Sequence, residues 1–432
     1  MKKRILIAAL TAAMASSIFG VTVNAAEREL NINWLSSRSA SESAILAIQD
    51  IAKQYQEENP DLDFNFEIEN ISDRTAYLQK LKILAASDEL PEWFDSDPDT
   101  WFADIVADGK AYSFEDLYKE LGMYDQIFPI SKEYARLSDG SLNLMTLQCN
   151  TEYFFYNKDL FEQAGIEAPE VAYATWDEFF EACDKLKEAG ITPIGMDSAD
   201  SGWLTNLWMS ALIGTNGDAG NEWMNTMYPT DYNTPEVIEA AENIQKMFQN
   251  YTTPDAVGGK YDPMATHFFN GEVAMFPNGP WMIPDFSETE KAPEGFYDKV
   301  GIMLLPGNGM EMVPTPGDMV GATDPEKIEA AVAFLKFETT PENQIKALEM
   351  TGLQPVSDNL EVPETLSESD PLMAQALEIQ GKAEVTYGQN QAYWYQNTID
   401  TFSTELPELA YGNITAEEFC TKLSEAAAKN VE

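Results

Sequence analysis

The sequence predicts an α/β protein built as two lobes, and three observations carry that prediction. At 432 residues the chain exceeds what one ordinary core fills, while a hydrophobic content of 44% suffices for a core in each of two lobes. Its early part reads as strand, helix, strand, a βαβ unit. Phe268 to Trp281 then reads as an apolar strand, Val273 to Phe276, set between turns at Asn270-Gly271 and Asn278-Gly279-Pro280. Pro280 cannot donate a strand hydrogen bond but suits a first helical turn, so Trp281 should sit where a strand hands over to a helix. In open α/β folds that edge faces the ligand crevice, where a Trp offers a flat apolar face and one N–H donor.

The first 25 residues stand apart. Lys2, Lys3 and Arg4 form a basic head, Ile5 to Val21 is mostly apolar or small, and Val23-Asn24-Ala25 offers a small-residue cleavage site. A secretory signal peptide over residues 1–25, cut after Ala25, is expected. Thr11, Ser16, Ser17 and Gly20 interrupt the run and argue against a membrane anchor.

Leu30 to Trp34 alternates apolar and polar residues as a first strand, followed by a polar loop through Ser36, Ser37, Arg38 and Ser39. Ala44, Ile45, Ile48, Ile51, Ala52 and Tyr55 recur at helical spacing until Asn59-Pro60. Leu62, Phe64, Phe66 and Ile68 alternate with polar residues as a strand with one buried face. A helix carrying Leu78, Leu81 and Leu84 leads to a short strand, after which Asp95 and Asp97 fall at a turn. Leu142 to Leu147 reads as a strand, Gln148 to Glu152 as its sequel, and Tyr153 to Phe161 as an apolar strand turning into a helix that stops at Gly165. Thr175-Trp-Asp-Glu178 reads as a capping box for a helix burying Phe179, Ala182, Cys183 and Leu186. Ser198 to Trp203 is a polar loop entering an aromatic helix. Gly301 to Leu305 reads as a strand, Met312 to Gly317 as a crossover, Ala330 to Lys336 as a helix, and Gly352 to Pro355 as a return crossover. Tyr393-Trp394-Tyr395 enters a helix, and Thr415 to Glu418 caps the last one.

Charge and residue usage exclude several functions. The formal net charge of −47 repels nucleic acid and anionic lipid, and it makes a polyanionic ligand improbable. Cys149, Cys183 and Cys420 are odd in number and widely spaced, which suits buried thiols better than a disulfide framework or a metal knuckle. His267 is the one histidine, so metal sites rich in histidine and paired-histidine catalysis are excluded, and it reads as a structural residue. No Gly-x-Ser-x-Gly elbow accompanies it, and no phosphate-cradling glycine loop follows a strand. Asp95-Ser-Asp-Pro-Asp99 lacks the ligand spacing and distal Glu of a calcium loop. No cofactor or metal is expected.

A sugar-binding constellation is better supported. Aromatic faces stack on sugar rings, and planar polar groups bond hydroxyls in pairs. Trp203, Trp281 and the Tyr393 to Tyr395 cluster, with Trp394 and Tyr395, all fall at loop-to-helix junctions, whereas Arg38, Asp95, Asp97, Gln148 and Asn150 fall at strand ends. Recurrence at one type of position suggests one shared cleft.

The same residues carry a family likeness. Tyr156-Asn-Lys-Asp-Leu-Phe161 with Ala164-Gly165, Thr175 to Phe179 with Lys185 to Pro193, Phe269 to Met275 with Asn278-Gly-Pro-Trp281, and the segments Ala330 to Pro355 and Tyr393 to Phe402 follow in order along nearly the whole chain. Together they resemble the extracellular solute-binding proteins of carbohydrate ABC transporters, the family that includes maltose-binding proteins. That resemblance implies a periplasmic-binding-protein fold of type II character. Its N-terminal lobe would be residues 26–149 and 315–354, and its C-terminal lobe residues 150–314 and 355–432. Three crossovers would lie near Cys149, Pro314 to Pro316 and Gln354, with ligand held between lobes that close over it. Trp281, Trp394, Tyr395 and Trp203 match the family's cleft aromatics and Asn150 a polar position near the first crossover, while Asp95, Asp97 and the Ser37 to Ser39 loop match by position.

The resemblance implies capture of a neutral oligosaccharide and delivery to the membrane permease of an ABC importer, by a monomer that is not an enzyme and binds no nucleic acid. No Cys precedes Cys149, so the lipid-anchoring Cys of Gram-positive relatives is missing. A freely soluble protein of the periplasm or cell surface is expected. The rivals are a secreted glycoside hydrolase acting through a carboxylate pair, and a sensor or adhesin on the same scaffold.

Overall fold

The computed structural model describes residues 28–431 except 39, 41–42, 72–73, 97–99, most of 113–147, 200–201, 315–316, 322–324 and 356–363. The predicted signal peptide and its cleavage site, Ser39 and Asp97 lie outside the described residues. So does most of the strand expected over 142–147.

Two sheets organise the chain. The first has the order β2-β1-β3-β9, formed by β1 (Arg28–Ser36), β2 (Leu62–Asn70), β3 (Trp93–Ser96) and β9 (Gly317–Met319). β1 lies parallel to β2 and β3, as the βαβ reading requires, and β9 runs antiparallel to β3. The helix Ser43–Glu58 buries Ile45, Ile48, Ile51 and Ala52 against this sheet. The covering aromatic comes from far along the chain: Phe334, on the helix Pro325–Glu338, places its ring 5.0 Å from Phe66 and 5.6 Å from Trp93. Trp34 stacks on Trp93 at 5.5 Å, a contact worth about 0.5–1.5 kcal/mol beyond area burial.

The second sheet centres on β4 (Gln148–Asn157), with the order β11-β8-β4-β6-β5 and with β7 and β10 also paired to β4. Its other members are β5 (Thr192–Ile194), β6 (Val273–Asn278), β7 (Val300–Met303), β8 (Gly309–Pro314), β10 (Gln354–Pro355) and β11 (Val385–Tyr387). Gln148 to Glu152 therefore belongs to the strand that the sequence reading began at Tyr153. Tertiary pairing overrides its polar composition: Cys149 to Glu152 is held by Pro314 to Glu311 along one side.

The three predicted crossovers are neighbours in space. Cys149 pairs with Pro314 on one side and with Gln354 on the other, so three segments distant in sequence lie side by side in the second sheet.

Other local readings change in detail. Asp95 lies inside β3, not at a turn, because β9 extends the pairing to Ser96. Pro280 opens the expected helix, a 3₁₀ helix over Pro280–Ser287, and Pro284 inside it has no N–H to continue a regular ladder. Thr175 caps Glu178 N, but the Glu178 carboxylate reaches back to Ala174 N instead of completing the capping box. At Thr415 both halves of the box are present.

Candidate functional site

The registers bring the carboxyl ends of β5, β6, β8 and β11 and the amino end of β4 to one edge of the second sheet. This is the edge at which open α/β sheets take ligands. Gln148 and Asn150 open β4 there, and Trp281 follows the end of β6.

Trp281 is half-buried and folds back over its own turn. A Cβ at Gly279 would lie 2.1 Å from the Trp281 ring, so only glycine permits that approach. The turn is pinned from below, since Asn278 Oδ1 accepts from Gly279 N at 2.8 Å while Asn278 Nδ2 donates to the Tyr261 hydroxyl at 2.7 Å. A Cβ at Gly352 would meet Pro280 Cβ at 2.8 Å, which places the Trp281 turn against the return crossover. Gln148 and Asn150, both half-buried, open β4 beside that crossover, and Gln148 Nε2 donates to Thr351 Oγ1 at 3.4 Å.

Trp203 is half-buried at the start of the helix Trp203–Gly214. Buried Asp197 fixes that start by accepting from Leu204 N at 3.0 Å and Thr205 N at 3.4 Å. Ser198 and Ala199 donate to Gly259 O, two residues before Tyr261, so the Trp203 loop and the Trp281 turn share one scaffold. From the same helix, Asn206 accepts from Asn390 Nδ2 at 2.5 Å and Ser210 Oγ accepts from Asn390 N at 3.1 Å, which ties down the segment leading to Tyr393.

Trp394 and Tyr395 then part company. Tyr395 is half-buried and stacks on Tyr228 at 4.9 Å. Trp394 is 3% exposed, with Tyr232, Trp223 and Phe402 packed edge-on around it. It was expected to present its face to ligand. Here it lies beneath the edge as core, because three aromatic neighbours supply more apolar contact than solvent allows.

At the carboxyl edge of the first sheet, Asp95 was expected to offer its carboxylate to a ligand. It is fully buried, and five donors fill its two oxygens from within the protein: Trp34 Nε1 at 3.1 Å, Ser36 Oγ at 3.0 Å, Ser37 N and Oγ at 2.6 and 2.8 Å, and Arg38 Nη1 at 3.1 Å. The carboxylate thus shapes the Ser36 to Arg38 loop from behind. Ser37 and Arg38 are half-buried at its surface, and the Arg38 guanidinium lies 5.5 Å from the Trp34 ring.

His267 stays away from this edge on the helix Tyr261–Phe269, its two ring nitrogens facing Asp255 and Glu272. Partial burial opposes its protonation, yet the two carboxylates outweigh that and raise its pKa. Cys149, Cys183 and Cys420 are buried free thiols, as read.

Sequence reasoning missed Tyr261, Asn206, Gln389 and Asn390, which hold the edge together, and the acids Glu152 and Glu311 behind it. Glu152 carried one signal, a charge directly against the apolar run that starts at Tyr153. The others are polar residues with nothing local to single them out.

Residues 50–375 match the family model described as bacterial extracellular solute-binding protein. The sn-glycerol-3-phosphate-binding periplasmic protein UgpB of Shigella flexneri is 27% identical over 254 residues, 56% of this chain and 56% of that protein. Its counterpart in Escherichia coli K12 is 26% identical over the same share, so the chain spans little more than half the length of these relatives. Among solved structures, a chitin oligosaccharide binding protein superposes with a TM-score of 0.75 at 23% identity, covering 93% of this chain and 98% of that one. The apo form of RafE from Streptococcus pneumoniae gives 0.70 at 20% identity, covering 92% and 97%. Maltose-bound MalE3 of T. maritima gives 0.68 at 17% identity, covering 92% and 99%. At these identities the likeness is one of fold, the two-lobed α/β fold expected above. Among the described residues no helix is long and apolar enough to cross a membrane.

Proposed function

The chain belongs to the bacterial extracellular solute-binding proteins, and from that premise we propose that it captures a neutral oligosaccharide and delivers it unchanged to the permease of an ABC importer. What supports this reading is that half-buried Trp203 and Trp281 follow turns held on the same Gly259 to Tyr261 segment, with half-buried Gln148 and Asn150 on β4 beside its β8 and β10 pairings and Tyr395 also half-buried. Half-exposed aromatic faces beside amide side chains suit the alternating C–H and hydroxyl surface of a sugar.

In this reading residues 26–149 and 315–354 form one lobe and residues 150–314 and 355–432 the other, with the β10-β4-β8 triplet as the hinge. Trp281, Trp203, Tyr395, Gln148 and Asn150 contact ligand from the second lobe. Ser37 and Arg38 approach from the first, while Asp95 and Trp394 support from beneath. The protein works as a monomer outside the cytoplasmic membrane and uses no cofactor.

A second ligand class has a specific observation behind it. The UgpB relatives are named for sn-glycerol-3-phosphate, and Arg38 at the first-sheet edge could meet a phosphate. The net charge of −47 weighs against it.

Titration of the protein with chito-, malto- and raffinose-type oligosaccharides and with sn-glycerol-3-phosphate, followed by tryptophan fluorescence with mass analysis of recovered ligand, separates the readings. Saturable binding of an intact sugar, abolished by Trp281→Ala, is expected. Binding of the phosphate ester alone would replace the sugar, and cleaved sugar would replace the binding protein with a hydrolase.

A further inference from the structure

Behind the ligand edge, the second lobe buries two acids directly opposite each other. Glu152 on β4 pairs in register with Glu311 on β8, and each residue is 2% exposed. Their carboxyl groups lie within hydrogen-bond reach of one another. Ionised carboxylates are acceptors only, so two of them in contact bond only if a proton lies between them. Oε2 of each finds no donor among the described residues.

The groups around the pair offset only part of what burial costs two negative charges. The Ser210 hydroxyl, from the helix Trp203–Gly214, faces Glu311 and favours its charged form. The Gln389 amide, from the segment after β11, donates to Glu152 Oε1 at 3.4 Å and acts on Glu311 in the same direction. The titratable neighbours are Tyr387 on β11 and Tyr153 beside Glu152 on β4, whose hydroxyls burial and the nearby acids keep neutral. No lysine, arginine or histidine of the described residues contributes to either carboxyl. A pair of charges here would face several kcal/mol of desolvation per ion with no cation in contact.

Position gives the pair a consequence for the edge above it. Asn150 is two residues from Glu152 on the same strand, Ser210 shares a helix with Trp203, and Gln389 leads directly into Tyr393 to Tyr395. We propose that Glu152 and Glu311 hold a proton between them at neutral pH, and that this protonated pair is a polar joint that positions the Gln389 to Tyr395 segment against β4 and β8. The joint does not depend on which ligand the protein takes.

Burial raises Glu311 well above the ordinary glutamate value of 4.5 and Glu152 to about 7. The folded state therefore keeps protons that the unfolded chain releases above 4.5. The stabilisation is complete below that value and fades as pH rises through the folded values. Each retained proton lowers the folding equilibrium constant about tenfold per pH unit across that window.

Infrared spectroscopy of the ligand-free protein at neutral pH, compared with the double variant E152Q/E311Q, reads the proton directly. A buried carboxylic-acid C=O band in the native protein, missing from the double variant, is expected. Near-UV circular dichroism and urea unfolding, followed from about pH 6 to about pH 9, should show aromatic packing and stability declining in the native protein and a shallower decline in E311Q. Infrared measurement of the native chain and the E311Q comparison keep the test decisive should the double variant fail to fold. A missing acid band overturns the proposal. So does identical pH dependence in native protein and E311Q, or loss of that dependence on adding calcium or sodium, which would put a cation in the proton's place.

Discussion

The two lobes both bury carboxylates behind a sheet edge, and they treat them in opposite ways. Asp95 in the first lobe receives five donors, one of them the Arg38 guanidinium, so its charge is answered where it sits. Glu152 and Glu311 in the second have an amide, a hydroxyl and each other. The difference teaches that burial alone does not decide whether an acid is charged. What decides is whether enough donors converge on the oxygens to replace water.

The largest effect should come from breaking the answered side. Asp95→Ala leaves Arg38, Trp34 Nε1 and two Ser37 donors without their acceptor, and a loss of about 3–5 kcal/mol is expected in urea unfolding. By contrast Glu311→Gln, which keeps shape and removes only the titrating group, should cost little at neutral pH. Equal losses in the two variants would erase the distinction between the lobes.

Trp394→Ala should lose a comparable amount, about 3–5 kcal/mol, because that ring is enclosed by three others. Trp281→Ala should cost only about 1 kcal/mol, since its ring is half in solvent. It should nevertheless abolish the ligand-induced fluorescence change. Large unfolding losses in both variants would place Trp281 in the core and remove it from the site.

His267→Gln sharpens the comparison with the smallest effect. His267 lies between two carboxylates at the surface, and its pKa is raised above 6.5. A raised histidine stabilises fully below its unfolded value and loses that contribution as pH rises through its folded value. The variant should therefore be less stable than the native protein near pH 5 and match it near pH 9, as read from urea midpoints. A deficit that does not vary with pH would mean that His267 contributes packing instead of charge.

Much of the architecture was legible because it is written locally. Alternation over Leu62 to Ile68, helical spacing over Ala44 to Tyr55, and the turn residues around Val273 to Phe276 each fix an element through side-chain period and backbone preference. Trp281 was found as a candidate because Asn-Gly-Pro marks a strand end whatever follows it. Ranking Trp394 equally with it followed from the same local logic, since a sequence shows that an aromatic stands at a junction but not which rings will close around it.

What only the tertiary structure decided depends on contacts distant along the chain. Gln148 to Glu152 is polar enough to read as loop, and it becomes strand because β8 and β10 arrive from far downstream to satisfy its backbone. Asp95 reads as a turn residue, and it becomes a buried hub because the loop after β1 turns its donors inward. Glu152 and Glu311 become a pair only when β8 aligns in one register out of several. The sequence by itself determined most of the strands and helices, through local energetics, while long-range pairing set where strands such as β3 and β4 begin and end. The fold decided which polar groups meet, because hydrogen bonding and desolvation depend on partners that only chain closure brings together.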